Sequence, residues 1–135
     1  MADNPMSIFD ISGRAMSAQL ARLNTTASNL ANAGSVSGSR ATAYRAMRPV
    51  FTVAEGAPGV ATVDAGRIVR TNAEPTRRHD PDHPLADANG DVWVAGVDTA
   101  AEMIDMVEAS RQYQNNVQVL QTAKTLMLDT LRLGQ

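Results

Sequence analysis

Cysteine is absent from the 135 residues, which excludes a disulfide framework, a thiolate metal site and a cysteine nucleophile. Aromatic residues are scarce, with Phe9, Tyr44, Phe51, Trp93 and Tyr113 the whole set. Apolar residues make up 44%, but many of them are alanine, which buries little area, so the expected core is thin. No run of about 18 apolar residues occurs, and no membrane-spanning helix is expected. The opening MADNPMSIFD places Asp3 where a secretory signal needs positive charge, and no apolar stretch follows it; no cleaved signal peptide is expected. An excess of one charge sign is missing too. The net charge is −2, with Arg14 and Arg22 set against Asp3 and Asp10 in residues 1–33 and the remaining charges interspersed. No segment forms a basic patch, so nucleic-acid binding has no electrostatic support.

What the chain does have is heptad spacing at both ends. Phe9, Met16, Leu20, Leu23, Ala27 and Leu30 follow alternating steps of three and four, with Gly13 in the gap. That pattern predicts a helix from about Pro5 to Ala31 with a coiled-coil seam. Pro5 suits a first helical turn because its φ is already fixed there. A second seam runs through Met103, Met106, Ser110, Tyr113, Val117, Leu120, Lys124, Met127 and Leu131, flanked by Val119, Ala123 and Leu126. Thr99-Ala100-Ala101-Glu102 has the form of a capping box, and Gly134 is a natural stop.

Residues 34–97 are a different kind of sequence. They hold five of the six prolines and seven of the nine glycines, and short apolar runs at 48–53, 66–71 and 91–96 alternate with EGAPG and DANGD turns. β-hairpins are the expected structure. The fold class is thus α+β: residues 1–33 and 98–135 form long terminal helices, paired as an antiparallel coiled-coil-like hairpin around a β-rich insert. The C-terminal helix carries two apolar stripes, one more than a single partner covers, which points to contacts with other molecules.

Catalytic constellations are weak. His79 and His83 lie four apart in RRHDPDHPLAD, but Pro81 and Pro84 forbid the helix that would make them a metal clamp. There is no Gly-x-Ser-x-Gly, and GSVSGS lacks the flanking strand and lysine of a phosphate loop. The seven methionines and Trp93 read as packing residues. No catalytic residue, cofactor or metal is expected. The stretch NTTASNLANAGS, residues 24–35, is small and uncharged. Thr25, Asn29 and Asn32 form a stripe beside the leucine seam, suited to close helix contact through their side-chain polar groups.

The segments at residues 9–38 and 102–135 resemble the terminal signatures of bacterial flagellar rod proteins, including the asparagine-rich motif around Asn24, Asn29 and Asn32. AYRAMRPVF (43–51) and DPDHPLADANG (80–90) resemble the middle of a small proximal-rod member of that family. The chain departs from the family pattern at Asp91, where an aromatic is usual, and at Ala95-Gly96-Val97, where Pro-Asn-Val is usual. The resemblance implies a non-enzymatic structural subunit that polymerises helically through its terminal helices and transmits torque from motor to hook. It implies contacts with copies of itself and other rod proteins, passage through the flagellar type III export apparatus, a periplasmic basal-body location and no membrane insertion. The expected subunit-interface residues are Phe9, Met16, Leu20, Leu23, Asn24, Asn29, Leu30 and Asn32, with Met103, Met106, Tyr113, Val117, Leu120, Met127 and Leu131. The alternative is a soluble helical adaptor or secretion chaperone that binds a partner helix.

Overall fold

The computed structural model describes residues 7–55 and 61–134. Helix α1 spans Ile8–Asn32. It begins at Ser7, whose hydroxyl oxygen accepts from the Asp10 N–H while the Asp10 carboxylate accepts from the Ser7 N–H at 3.1 Å. The Ser7 hydroxyl donates to the same carboxylate at 2.9 Å, and that bond, with the one from the Ser7 N–H, holds the Asp10 carboxyl below its ordinary pKa. The expected start at Pro5 lies outside the described residues. Helix α2 spans Thr99–Leu133.

The expected Thr99/Glu102 capping box is corrected by the structure. Asp98 is the N-cap, and its Oδ1 accepts from the N–H groups of Ala100 and Ala101 at 3.0 and 3.2 Å. An aspartate one residue earlier is an equally good cap. That single-residue shift frees the Glu102 side chain, which turns inward and is buried.

The two helices run antiparallel. Asn29 meets Glu102, Arg22 meets Asp105, and Ile8 lies beside Val119, Ala123 and Leu126. The residues at the helix seam differ from the expected leucine heptads. The buried positions of α1 are Ser12, Ala18, Thr25, Thr26 and Asn29, and those of α2 are Glu102 and Ala109. Met16, Leu23 and Leu30 are half-buried and Leu20 is exposed. The same correction applies to α2, where Met103, Lys124, Met127 and Leu131 of the expected seam are exposed while Met106, Ser110, Tyr113, Val117 and Leu120 are half-buried. Small side chains let the two backbones approach closely. The stripe of small residues next to the leucines has the same three-four spacing, so spacing alone could not choose between them.

The insert contains two small sheets. Strands β1 (Val36–Ser37), β4 (Thr76–His79) and β5 (Asp91–Val94) form an antiparallel sheet ordered β1-β5-β4, with β5 central. Val92 of β5 is fully buried. Strands β2 (Met47–Glu55) and β3 (Ala61–Arg70) pair as a hairpin. Pro49 opposes Ile68 and Phe51 opposes Ala65, so β3 carries an extra residue at a bulge beside the proline. The apolar runs at 48–53, 66–71 and 91–96 therefore fall largely on β2, β3 and β5, whereas β1 and β4 are too short and polar to stand out. Of the expected EGAPG turn, residues 56–59 lie outside the described residues.

The DANGD turn is built around Asp87. Its Oδ1 accepts from the N–H groups of Asn89 and Asp91 at 2.8 and 3.0 Å. Those two bonds hold the Asp87 carboxyl below its usual pKa. Gly90 follows with φ +75°, a conformation that favours glycine. Gly96 is needed for a different reason: a Cβ there would sit 2.7 Å from the Ala73 carbonyl oxygen.

Candidate assembly interface

A buried polar junction joins the helix pair to the insert. Asn29 is fully buried on α1, and Glu102 is 1% exposed on α2. The Asn29 Nδ2 donates to Glu102 Oε2 at 3.0 Å. Arg48, on β2, grips Glu102 with both terminal nitrogens, at 2.8 and 2.7 Å, and reaches Asp105 at 3.1 Å. Arg22 of α1 bonds the other oxygen of Asp105 at 3.0 Å and lies 3.7 Å from Glu108. Alternating charges thus bridge α1, β2 and α2. The fork geometry is what arginine offers a carboxylate. The bond to Glu102 comes first among the causes that raise the Arg48 pKa above its ordinary value, ahead of the opposing effect of burial. Glu102 was not legible as a junction residue because the Thr99-Ala100-Ala101-Glu102 spacing is explained as a capping box, and no local pattern in sequence ties Arg48, or Tyr44, whose hydroxyl donates to Asn29, to the helices.

The structure scatters the expected interface residues. Asn29 uses its whole side chain inside the chain, leaving no surface for a neighbour. Asn32 donates to the Ser28 carbonyl within its own helix. Asn24 is exposed and, with Ala21, Thr25, Ser28, Met47 and Ile68, lines a cavity of about 350 Å³ between α1 and the hairpin. Phe9, Met16, Leu23 and Leu30 are partly covered, and Leu20 is 44% exposed. On α2, Met106, Tyr113, Val117 and Leu120 are half-buried, whereas Met103, Met127 and Leu131 are exposed.

Two exposed apolar regions stand out on α2. Met103, Ile104 and Val107 make a patch rimmed by Glu108 and Arg111 near its start. The second is the tail. Every described residue from Lys124 to Gly134 is exposed, including Leu126, Met127, Leu128, Leu131 and Leu133. At about 100° per residue those five side chains spread over roughly 220° of the helix, with Thr125, Asp129 and Arg132 on the remaining face, so one flat neighbour does not cover them all.

The histidines do not converge. His79 Nδ1 lies 2.9 Å from Asp91 Oδ1, with Arg77 on the other oxygen at 3.3 Å, while His83 Nδ1 accepts from the Leu85 N–H. Among the described residues no cluster of three metal-ligating side chains occurs, and no helix is long and apolar enough to cross a membrane.

Two family models match the chain. The Flagella basal body rod protein model covers residues 9–38, and the Flagellar basal body rod FlgEFG protein C-terminal model covers residues 88–133. The flagellar basal-body rod protein FlgC of Salmonella typhimurium is 48% identical over 132 residues, 96% of this chain and 98% of the relative. The chain belongs to the FlgC family of flagellar basal-body rod proteins. The FlgC protein of Yersinia enterocolitica is 49% identical over the same shares, and that of Buchnera aphidicola subsp. Acyrthosiphon pisum is 32% identical over 133 residues. The second match begins at Ala88, inside the Asp87–Asp91 turn, so the FlgC-family likeness takes in β5 as well as α2.

Proposed function

We propose that the chain is a structural subunit of the flagellar rod in the basal body, polymerising helically through its terminal helices and transmitting torque from motor to hook. The observation that carries this is the α2 tail: Leu126, Met127, Leu128, Leu131 and Leu133 are exposed over a wide arc of the helix, more than half its circumference. Such a surface is unfavourable in water and favourable when several neighbours enclose it. FlgC-family membership supplies the identity of those neighbours, which are copies of this chain and other rod proteins. The interface comprises the tail with Met103, Ile104 and Val107, and the outward stripe of α1 at Phe9, Met16, Leu20, Asn24 and Leu30. Export through the flagellar type III apparatus without a cleaved signal, and a periplasmic position in the rod, belong to the same reading. A free-standing adaptor or chaperone accounts for one narrow exposed helix stripe, but not for an exposed apolar arc wider than half the tail.

The test is a Leu126→Asp/Leu131→Asp variant. Both side chains are exposed, so the circular dichroism and melting of the isolated chain are expected to match the parent within about 0.5 kcal/mol. Rod assembly and swimming are expected to be lost. Normal rods built from this variant would remove the basis of the proposal.

A further inference from the structure

Asn29 uses every hydrogen-bonding position of its carboxamide, and it does so on three elements. Its Oδ1 accepts from the Met47 N–H at 2.8 Å and from the Tyr44 hydroxyl at 2.9 Å. Its Nδ2 donates to the Met47 carbonyl at 2.8 Å and to Glu102 Oε2 at 3.0 Å. The double exchange with Met47 is the one a residue of a neighbouring antiparallel strand makes, returning both an N–H and a C=O bond. A helix side chain therefore stands in for a strand at the point where β2 begins. Aspartate has no donor for the Met47 carbonyl, and leucine offers neither half of the exchange.

We infer that Asn29 is the positioning residue that fixes the β2–β3 hairpin to the helix pair, so that hairpin and helices turn as one body. Arg48 also ties the base of β2 to α2, but farther along the hairpin Phe51, Val53 and Val63 are exposed. Two strands alone are marginal in water. The direction of the hairpin is thus set at its base, by a carboxamide that holds Met47 on one side and Glu102 on the other. This inference concerns the isolated chain and does not rest on the assembly reading. Its failure leaves that reading standing, and the reverse.

The decisive variant is Asn29→Asp. It removes the donor to Met47 and sets a carboxylate against Glu102 in a buried site. The other groups facing that site are Arg48 and Tyr44 from the insert side, Arg22 from α1 and Asp105 from α2. Acid restores a donor, because the protonated carboxyl of this variant can give its O–H to the Met47 carbonyl while its other oxygen accepts from the Met47 N–H, and the like-charged Glu102 beside it favours that protonation. Since the chain has no cysteine, spin labels can be placed uniquely at Val53→Cys and Gln121→Cys, both exposed. Pulsed electron resonance then reads the hairpin-to-helix distance. The parent is expected to give one narrow distribution at about pH 7.5 and at about pH 4.5, the lower value close to the ordinary carboxyl range and reached by a carboxyl whose pKa a like-charged neighbour raises. Asn29→Leu is expected to be at least about twofold broader at both. Asn29→Asp is expected to be broad at the higher value and to return to the parental width at the lower. A narrow distribution for either variant at the higher pH overturns the inference. So does an Asn29→Asp distribution that stays broad in acid, since that would be disruption without hydrogen-bond specificity.

Discussion

Removing the two halves of the Arg48–Glu102 pair separately is expected to have very unequal effects. The Glu102 side chain is 2% exposed, whereas that of Arg48 is 36% exposed. In Arg48→Met the carboxylate stays buried with only the Asn29 amide as partner, having lost two charge-assisted bonds. Stranding a buried charge costs about 3 kcal/mol. In Glu102→Leu the arginine keeps Asp105 at 3.1 Å and its own path to water. That change costs about 1 kcal/mol, mostly for the donor that Asn29 loses. The double variant is expected near 1–2 kcal/mol, well below the sum, because the groups act as one unit. For a chain of this size about 3 kcal/mol corresponds to roughly a 10 °C fall in melting temperature. Urea titrations read at 222 nm follow the helices, and Trp93, the single tryptophan, follows the insert through β5. Both probes are expected to shift together, since the junction ties the two regions. Equal costs for the two single variants, or a larger one for Glu102→Leu, would refute the reasoning from burial.

Two further outcomes follow from the insert. Gly96→Ala places a methyl 2.7 Å from the Ala73 carbonyl oxygen and 2.9 Å from the Glu74 carbonyl carbon; the forced backbone shift is expected to cost about 2 kcal/mol, read as a lower urea midpoint for Trp93 fluorescence. The Asp87 turn is expected to loosen in acid. The Asp87 carboxyl is held below its usual value in the folded chain by the Asp91 and Asn89 N–H groups. Its stabilising contribution is therefore complete above the ordinary carboxyl range near pH 4 and lost as pH falls through the lowered folded value. Amide protection at Asn89 and Asp91, relative to the intrinsic exchange rate at each pH, should fall over that acid interval in the parent and should be low at all pH values in Asp87→Ala.

The terminal helices and the α+β class were legible because heptad spacing and the concentration of proline and glycine in the middle are properties of single segments. The choice of buried stripe was not. Leucines at 20, 23 and 30 are the obvious seam on hydrophobicity, yet Thr25, Thr26 and Asn29 are the buried positions. The reason lies in the partner: Asn29 and Glu102 satisfy one another only when α1, β2 and α2 are already together, and no local pattern announces a bond between residues 73 positions apart. The same long-range bonding explains why NTTASNLANAGS is poor in large side chains. A leucine at position 29 would bury more area but could not return the N–H and C=O of Met47. With the polar stripe turned inward, the larger residues of α1 lie beside or outside the seam, Leu20 among the exposed ones. In a free-standing domain that placement wastes apolar area. On the proposed assembly reading it leaves leucine and methionine where neighbouring subunits would reach them.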